Sequence, residues 1–145
     1  MMARQVSATP RPLLIDTHYW IWLQGGAPGR ISPQALKEIQ SAAQSGRLLL
    51  SVVSVWEPGM LTAKKRIHLT LLVDRFVRDA LATPGMILAP LTPEIALDST
   101  QLPDRFHGDP ADGILAATAR HHAACLLTAD EQLARWCRGN SIVVV

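Results

Sequence analysis

The chain has 145 residues, 48% of them hydrophobic and 18% charged, which supplies one buried core and lies far from the composition of a disordered chain. The formal net charge of +2 permits a nucleic-acid partner without requiring one. No apolar run is long enough to cross a bilayer, since Leu48-Leu49-Leu50 and Ile142 to Val145 are only strand-sized. The two cysteines, Cys125 and Cys137, are too few and too far apart for a zinc site or a disulfide framework.

In chain order, Met1 to Pro12 is polar, with scattered Arg and Pro, and lacks the apolar segment of a signal peptide. It reads as a flexible arm over residues 1–12 ahead of a single domain over 13–145, and a cytoplasmic protein without a membrane partner is expected. Leu13-Leu14-Ile15 is the first strand candidate. A helix is expected over Pro33 to Ser45, entered through the Ser32-Pro33 cap and closed by Gly46. Leu48 to Ser51 is the next strand, followed by helical patterns over Ser54 to Lys65 and Leu69 to Ala82. Met86 to Leu88 is a strand after Gly85, and Pro93 to Ser99 a short helix. Asp109-Pro110 opens a helix that runs to His122. Cys125 to Leu127 and Ile142 to Val144 complete five strand candidates. Short, almost wholly apolar strands alternating with helices predict an α/β fold, its parallel sheet covered on both faces.

Ligands of such sheets bind beyond the carboxyl ends of the strands. Of the twelve acidic residues, Asp16, Glu57, Asp109, Asp112 and Asp130 fall at strand-to-helix junctions or helix starts. Crowded carboxylates repel one another, and a hard divalent cation removes that penalty. Oxygen ligands without Cys/His spacing favour Mg²⁺ or Mn²⁺ over zinc, and such ions support phosphate-ester hydrolysis. Each acid also suits a helix cap: Ser54-x-x-Glu57 and Thr128-x-x-Glu131 match capping boxes, and Asp109 is a natural N-cap. If Thr128 and Glu131 cap, Asp130 is left free, and if Asp109 caps, Asp112 is free to point into a pocket. Glu57 is expected in the first turn of its helix.

Three other features bear on chemistry. Lys64, Lys65 and Arg66 form the one dense basic run, which suits either an RNA-backbone contact or a solvated helix end. Trp20 and Trp22 point to different sides of a helix, so that both pack in the core or one is left exposed for an interface. His18, His107, His121 and His122 lack metal-site spacing and suit surface positions or positions behind a ligand, while Thr17 and Thr128 suit caps or water-orienting hydroxyls.

These residues carry a family resemblance. Leu14-Ile15-Asp16-Thr17-His18 with Trp20-Ile21-Trp22-Leu23, then Ser54-Val55-Trp56-Glu57, then His107-Gly108-Asp109-Pro110-Ala111-Asp112 running on through Ile114 to Ala119, and finally Leu127-Thr128-Ala129-Asp130-Glu131 stand in the order found in PIN-domain toxins of the VapC type. Lys64 to Ile67 resembles the basic stretch that follows the second acidic motif. The resemblance implies a three-layer α/β/α fold around a central, mostly parallel sheet of four to five strands. It implies Mg²⁺- or Mn²⁺-dependent endoribonuclease activity, an RNA substrate, a cognate antitoxin and a homodimer. By position, Asp16, Glu57, Asp112 and Asp130 match the family's acidic quartet, and Asp109 an extra acid of this branch. Two residues depart from the pattern: Gly113 stands where an arginine usually follows the aspartate, and Pro58 replaces an ordinary helix former after Glu57. The alternative they motivate is a catalytically weakened PIN-like module that binds RNA or protein. A phosphohydrolase working through an aspartyl-phosphate would need a second aspartate two residues after Asp16, where His18 stands.

Overall fold

In the computed structural model, which describes residues 10–24, 28–63 and 73–145, apolar triplets and quartets form a sheet because successive side chains alternate between its two faces. The strands are β1 (Leu13–Ile15), β2 (Leu48–Ser51), β3 (Met86–Ala89) and β4 (Cys125–Leu127). They are parallel throughout and lie in the order β3-β2-β1-β4, with Leu14 level with Leu49 on one side and Leu126 on the other. The fifth expected strand contributes only a single parallel bridge, Leu126 to Val144. The expected arm over residues 1–12 falls, for its first nine, outside the described residues.

Helices α1 (Thr17–Gln24), α2 (Pro33–Gln44), α3 (Val52–Ala63), α4 (Val73–Leu81), α5 (Pro93–Ser99), α6 (Pro110–His122) and α7 (Glu131–Gly139) surround the sheet, with a 3₁₀ turn at Pro28–Arg30. Leu13, Ile15, Leu48, Leu50 and Leu127 pack with Trp20, Ala35 and Ile39 of α1 and α2. Leu14, Leu49 and Leu126 turn the other way, onto Leu115 and Ala119 of α6 and Leu133 and Trp136 of α7. Two cores on opposite faces of one sheet make the three-layer α/β/α architecture. Each fully buried leucine contributes about 2 kcal/mol of transfer free energy, so burial on both faces dominates the stability. Among the described residues, no helix is long and apolar enough to cross a membrane.

Three of the proline-headed helices begin where their caps predict. Ser32 accepts from the Ala35 amide, Thr92 from Ile95 and Asp109 from Asp112. Gly85, with φ +81, lies so close to α2 that a Cβ there would sit 1.8 Å from the Ala43 carbonyl oxygen, so only glycine fits. Helix α3 starts at Val52, two residues earlier than expected. Pro58 is therefore its seventh residue, inside the helix rather than in the first turn, and it forfeits the hydrogen bond to the Ser54 carbonyl. Glu57 likewise falls in the second turn.

Candidate metal and phosphodiester site

The sheet order reverses between β1 and β4, which places the crevice beyond their carboxyl ends. Asp16 follows β1 at that point and is only 3% exposed. Its Oδ1 accepts from the Tyr19 amide, capping α1, and its Oδ2 accepts from Thr128 Oγ1 at 2.7 Å and from the Ala129 amide at 2.8 Å. Three donors on a buried carboxylate fix both its position and its ring of partners.

Glu57 is brought to the same edge by α3. Thr17, the residue after Asp16, donates to Glu57 Oε1 at 2.8 Å and lies 2.9 Å from the Ser54 hydroxyl. Asp112, in the first turn of α6, is held through Oδ2 by His107 Nε2 at 2.8 Å. An ionised carboxylate only accepts, so Nε2 carries the proton of that bond. Asp130 caps α7 by accepting from the Leu133 amide, and its own amide donates to Thr128 Oγ1. Thr128 thus links Asp16 to Asp130, and Thr17 links the Asp16 backbone to Glu57.

The electrostatics show the same convergence. Burial pushes Glu57 above the ordinary carboxylate range, and the charges of Asp112 and Asp109 push it further, against the Thr17 hydrogen bond and the nearby His18. Burial also raises Asp112, with Asp109 and Asp130 adding to it, against the hydrogen bond from His107. Four expected ligands from remote stretches therefore share one edge, and Asp109 stands on its exposed rim as the α6 cap. Among the described residues, no three His, Cys, Asp or Glu side chains close into a ready-made ion cage. The acids meet at electrostatic rather than ligating range. An all-oxygen, mutually repelling donor set of this kind fits a hard cation such as Mg²⁺, which keeps several of its waters.

Several expectations require correction. Neither capping box forms: Ser54 lies inside α3 with its hydroxyl on Thr17, and Thr128 donates to Asp16 while Asp130 itself caps α7. Tertiary partners outcompeted the local ones. Gly113 is buried where α5 crosses α6. A Cβ there would stand 3.1 Å from the Ser99 carbonyl oxygen and 3.5 Å from the Phe106 ring, so the position serves helix packing. Of the two readings for the tryptophan pair, the core one holds: Trp20 is fully buried, and Trp22 packs on the same core beneath the Arg30 guanidinium, 5.8 Å from the ring centroid. The exposed tryptophan is instead Trp56, 57% exposed beside Glu57. Cys137 is fully buried, and burial, reinforced by Asp112, pushes its thiol up to about 12. Lys64, Lys65 and Arg66 lie outside the described residues. The bracing of Asp112 by His107 was not legible as a pair, because nothing in their spacing reveals which way the loop before α6 turns.

Known proteins resemble the chain in sequence and in fold. The chain is 32% identical over 124 residues to Ribonuclease VapC22 of Mycobacterium tuberculosis, a match covering 83% of this chain and 88% of that protein. In fold it is similar to a toxin-antitoxin complex from Klebsiella pneumoniae, with TM-score 0.59, 21% identity and coverage of 92% of this chain and 95% of the other. It is likewise similar to FitAcB from Neisseria gonorrhoeae, with TM-score 0.60, 20% identity and coverage of 91% and 95%. The PIN domain profile matches residues 13–139, from the first strand to the end of α7. With that span and the ribonuclease likeness, the chain belongs to the PIN-domain family.

Proposed function

We propose that the protein is a metal-dependent endoribonuclease that hydrolyses RNA phosphodiester bonds and acts as the toxin of a toxin–antitoxin pair. The observation that carries this reading is the meeting of Asp16, Glu57, Asp112 and Asp130 at one sheet edge, where burial and mutual repulsion raise two of them. The likeness to a ribonuclease supports RNA as the substrate. These four residues, with Asp109 at the rim, would hold Mg²⁺ or Mn²⁺ directly or through water. A divalent ion supplies Lewis acidity for in-line attack of water and offsets the charge developing on the phosphate.

The chain's own residues supply the positioning. Thr128 and Ala129 immobilise Asp16, Thr17 orients Glu57 and His107 orients Asp112. No side chain is required as a covalent nucleophile. Lys64, Lys65 and Arg66 are proposed contacts to the RNA backbone. The reading includes a cognate antitoxin, for which the similar toxin-antitoxin complex is support, a homodimer, a cytoplasmic location, and one catalytic domain over 13–145 behind an arm over 1–12.

The test is RNA cleavage with Mg²⁺ or Mn²⁺ by folded Asp16→Asn and Asp112→Asn variants. Ion-borne charge stabilisation is worth several kcal/mol, so each variant is expected to lose on the order of 100-fold or more. Undiminished cleavage by both would refute the assignment.

A further inference from the structure

The cleft beside the acidic edge carries the opposite charge. It measures about 330 Å³ and runs between the loop before α6 and one face of α7, with Arg105, His107, Gln132, Arg135 and Asn140 on its walls. Gln132, Arg135, Trp136, Gly139 and Asn140 stand at positions i, i+3, i+4, i+7 and i+8, so they form a single stripe about 12 Å long on α7 and its cap. The stripe begins two residues after Asp130, and His107 on the opposite wall is the residue that holds Asp112. The cleft therefore shares His107 with the acidic edge.

Arg105 is held there by an unusual backbone. Asp104 and Arg105 have φ of 56 and 51, two consecutive non-glycine residues in the left-handed region. Such residues cost of order 1 kcal/mol or more each, and they persist where their surroundings impose them. Here Trp136 Nε1 donates to the Pro103 carbonyl at 2.9 Å and the Phe106 ring stacks edge-on against Trp136, centroids 5.1 Å apart. Those contacts pin both sides of the pair. Arg105 also borders a second cleft, of about 590 Å³, that contains Asp109. It therefore lines both clefts. Asp104 is the only acid on the wall of the first cleft, against two arginines.

We propose that Arg105 and Arg135 bind backbone phosphates of the RNA strand where it leaves the acidic edge, and that the cleft between the 104–107 loop and α7 is its track. This rests on the nuclease reading above and adds to it the path of the substrate. Carboxylates alone repel a polyanion, so a neighbouring pair of guanidiniums that accept phosphate geometry offsets that repulsion. Contacts of this kind give affinity without sequence preference.

The experiment is fluorescence anisotropy of a labelled single-stranded RNA, in EDTA and again with Mg²⁺, across a salt series. It compares wild type with Arg105→Gln, Arg105→Gly, Arg135→Ala, the Arg105→Gln/Arg135→Ala double variant and an Arg120→Ala control. Arg105→Gly keeps the left-handed backbone without strain while removing the charge. Arg120 is at the far end of α6, 3.7 Å from Asp98. Each cleft variant is expected to weaken binding about fivefold near 0.1 M salt and to reduce the slope of log K against log salt by about 0.7, with the control unchanged. Wild type that cleaves RNA while the cleft variants keep its affinity and slope overturns the track alone. Loss of affinity in the variants of a wild type that does not cleave upholds the track and overturns the nuclease reading. Wild type that binds no RNA in either condition overturns both.

Discussion

The two halves of the acidic edge are built on different terms. On the β1–β4 side, Asp16 is buried and accepts three hydrogen bonds, two of them from backbone amides. On the side formed by α3 and α6, Glu57 and Asp112 are half-buried, receive one side-chain partner each and stand in each other's field. The first half is satisfied by the protein itself. The second is left electrostatically unbalanced, as a site for an external cation requires. The contrast teaches that not every acid in such a cluster costs stability: Asp16 belongs to the fold as well as to the proposed site.

The largest expected effect separates the halves by stability. Asp16→Ala leaves the Tyr19 and Ala129 amides and the Thr128 hydroxyl without their acceptor, and should cost about 3 kcal/mol in urea unfolding. Asp112→Ala, which releases a crowded charge, should cost far less. Equal losses at the two positions would erase the distinction. A smaller effect, about 1 kcal/mol, is expected for Thr128→Val, which keeps the shape but removes one donor to Asp16 and the acceptor for the Asp130 amide. The same unfolding assay reads it.

On the crowded side the sign reverses. Glu57 and Asp112 hold their protons more tightly folded than unfolded, so their contribution favours folding at low pH. That contribution fades as pH climbs from the ordinary carboxylate range through the raised folded values, above which both are ionised and repelling. Glu57→Gln and Asp112→Asn should therefore raise the melting temperature of the metal-free protein at pH 7. The expected gain is about 3 °C each, equivalent to about 1 kcal/mol for a chain of this size, and it should shrink towards pH 4. Melting curves in EDTA across that range would show it. A gain that grows on acidification would contradict the assigned sign.

How far the sequence carried the description depends on whether a residue's partner was local. The apolar strand cores and the proline-headed helices were legible because their signals lie within a few residues: Ser32 and Asp109 each cap an amide three residues on. The acidic residues themselves were legible as junction residues. Which of them would cap was not, because the Ser54 hydroxyl is taken by Thr17, 37 residues away, and the Thr128 hydroxyl by Asp16, 112 residues away. Helix α1 was not delimited, since its apolar residues Trp20, Ile21, Trp22 and Leu23 run around the helix and leave no stripe to read. The interior position of Pro58 followed from the start of α3 directly after β2, a junction without a connecting loop. The strained Asp104–Arg105 pair depends on Trp136, far along the chain, and no turn signature announces it.

The claim on which all of this rests is that the crowded carboxylates are completed by a divalent cation. Calorimetric titration of Mn²⁺ into wild type and into a Glu57→Gln/Asp112→Asn double variant tests it most directly. Saturable uptake by the wild type, abolished in a double variant that is folded and at least as heat-stable, is the predicted result. Equal uptake by both proteins, or none by the wild type, would contradict it.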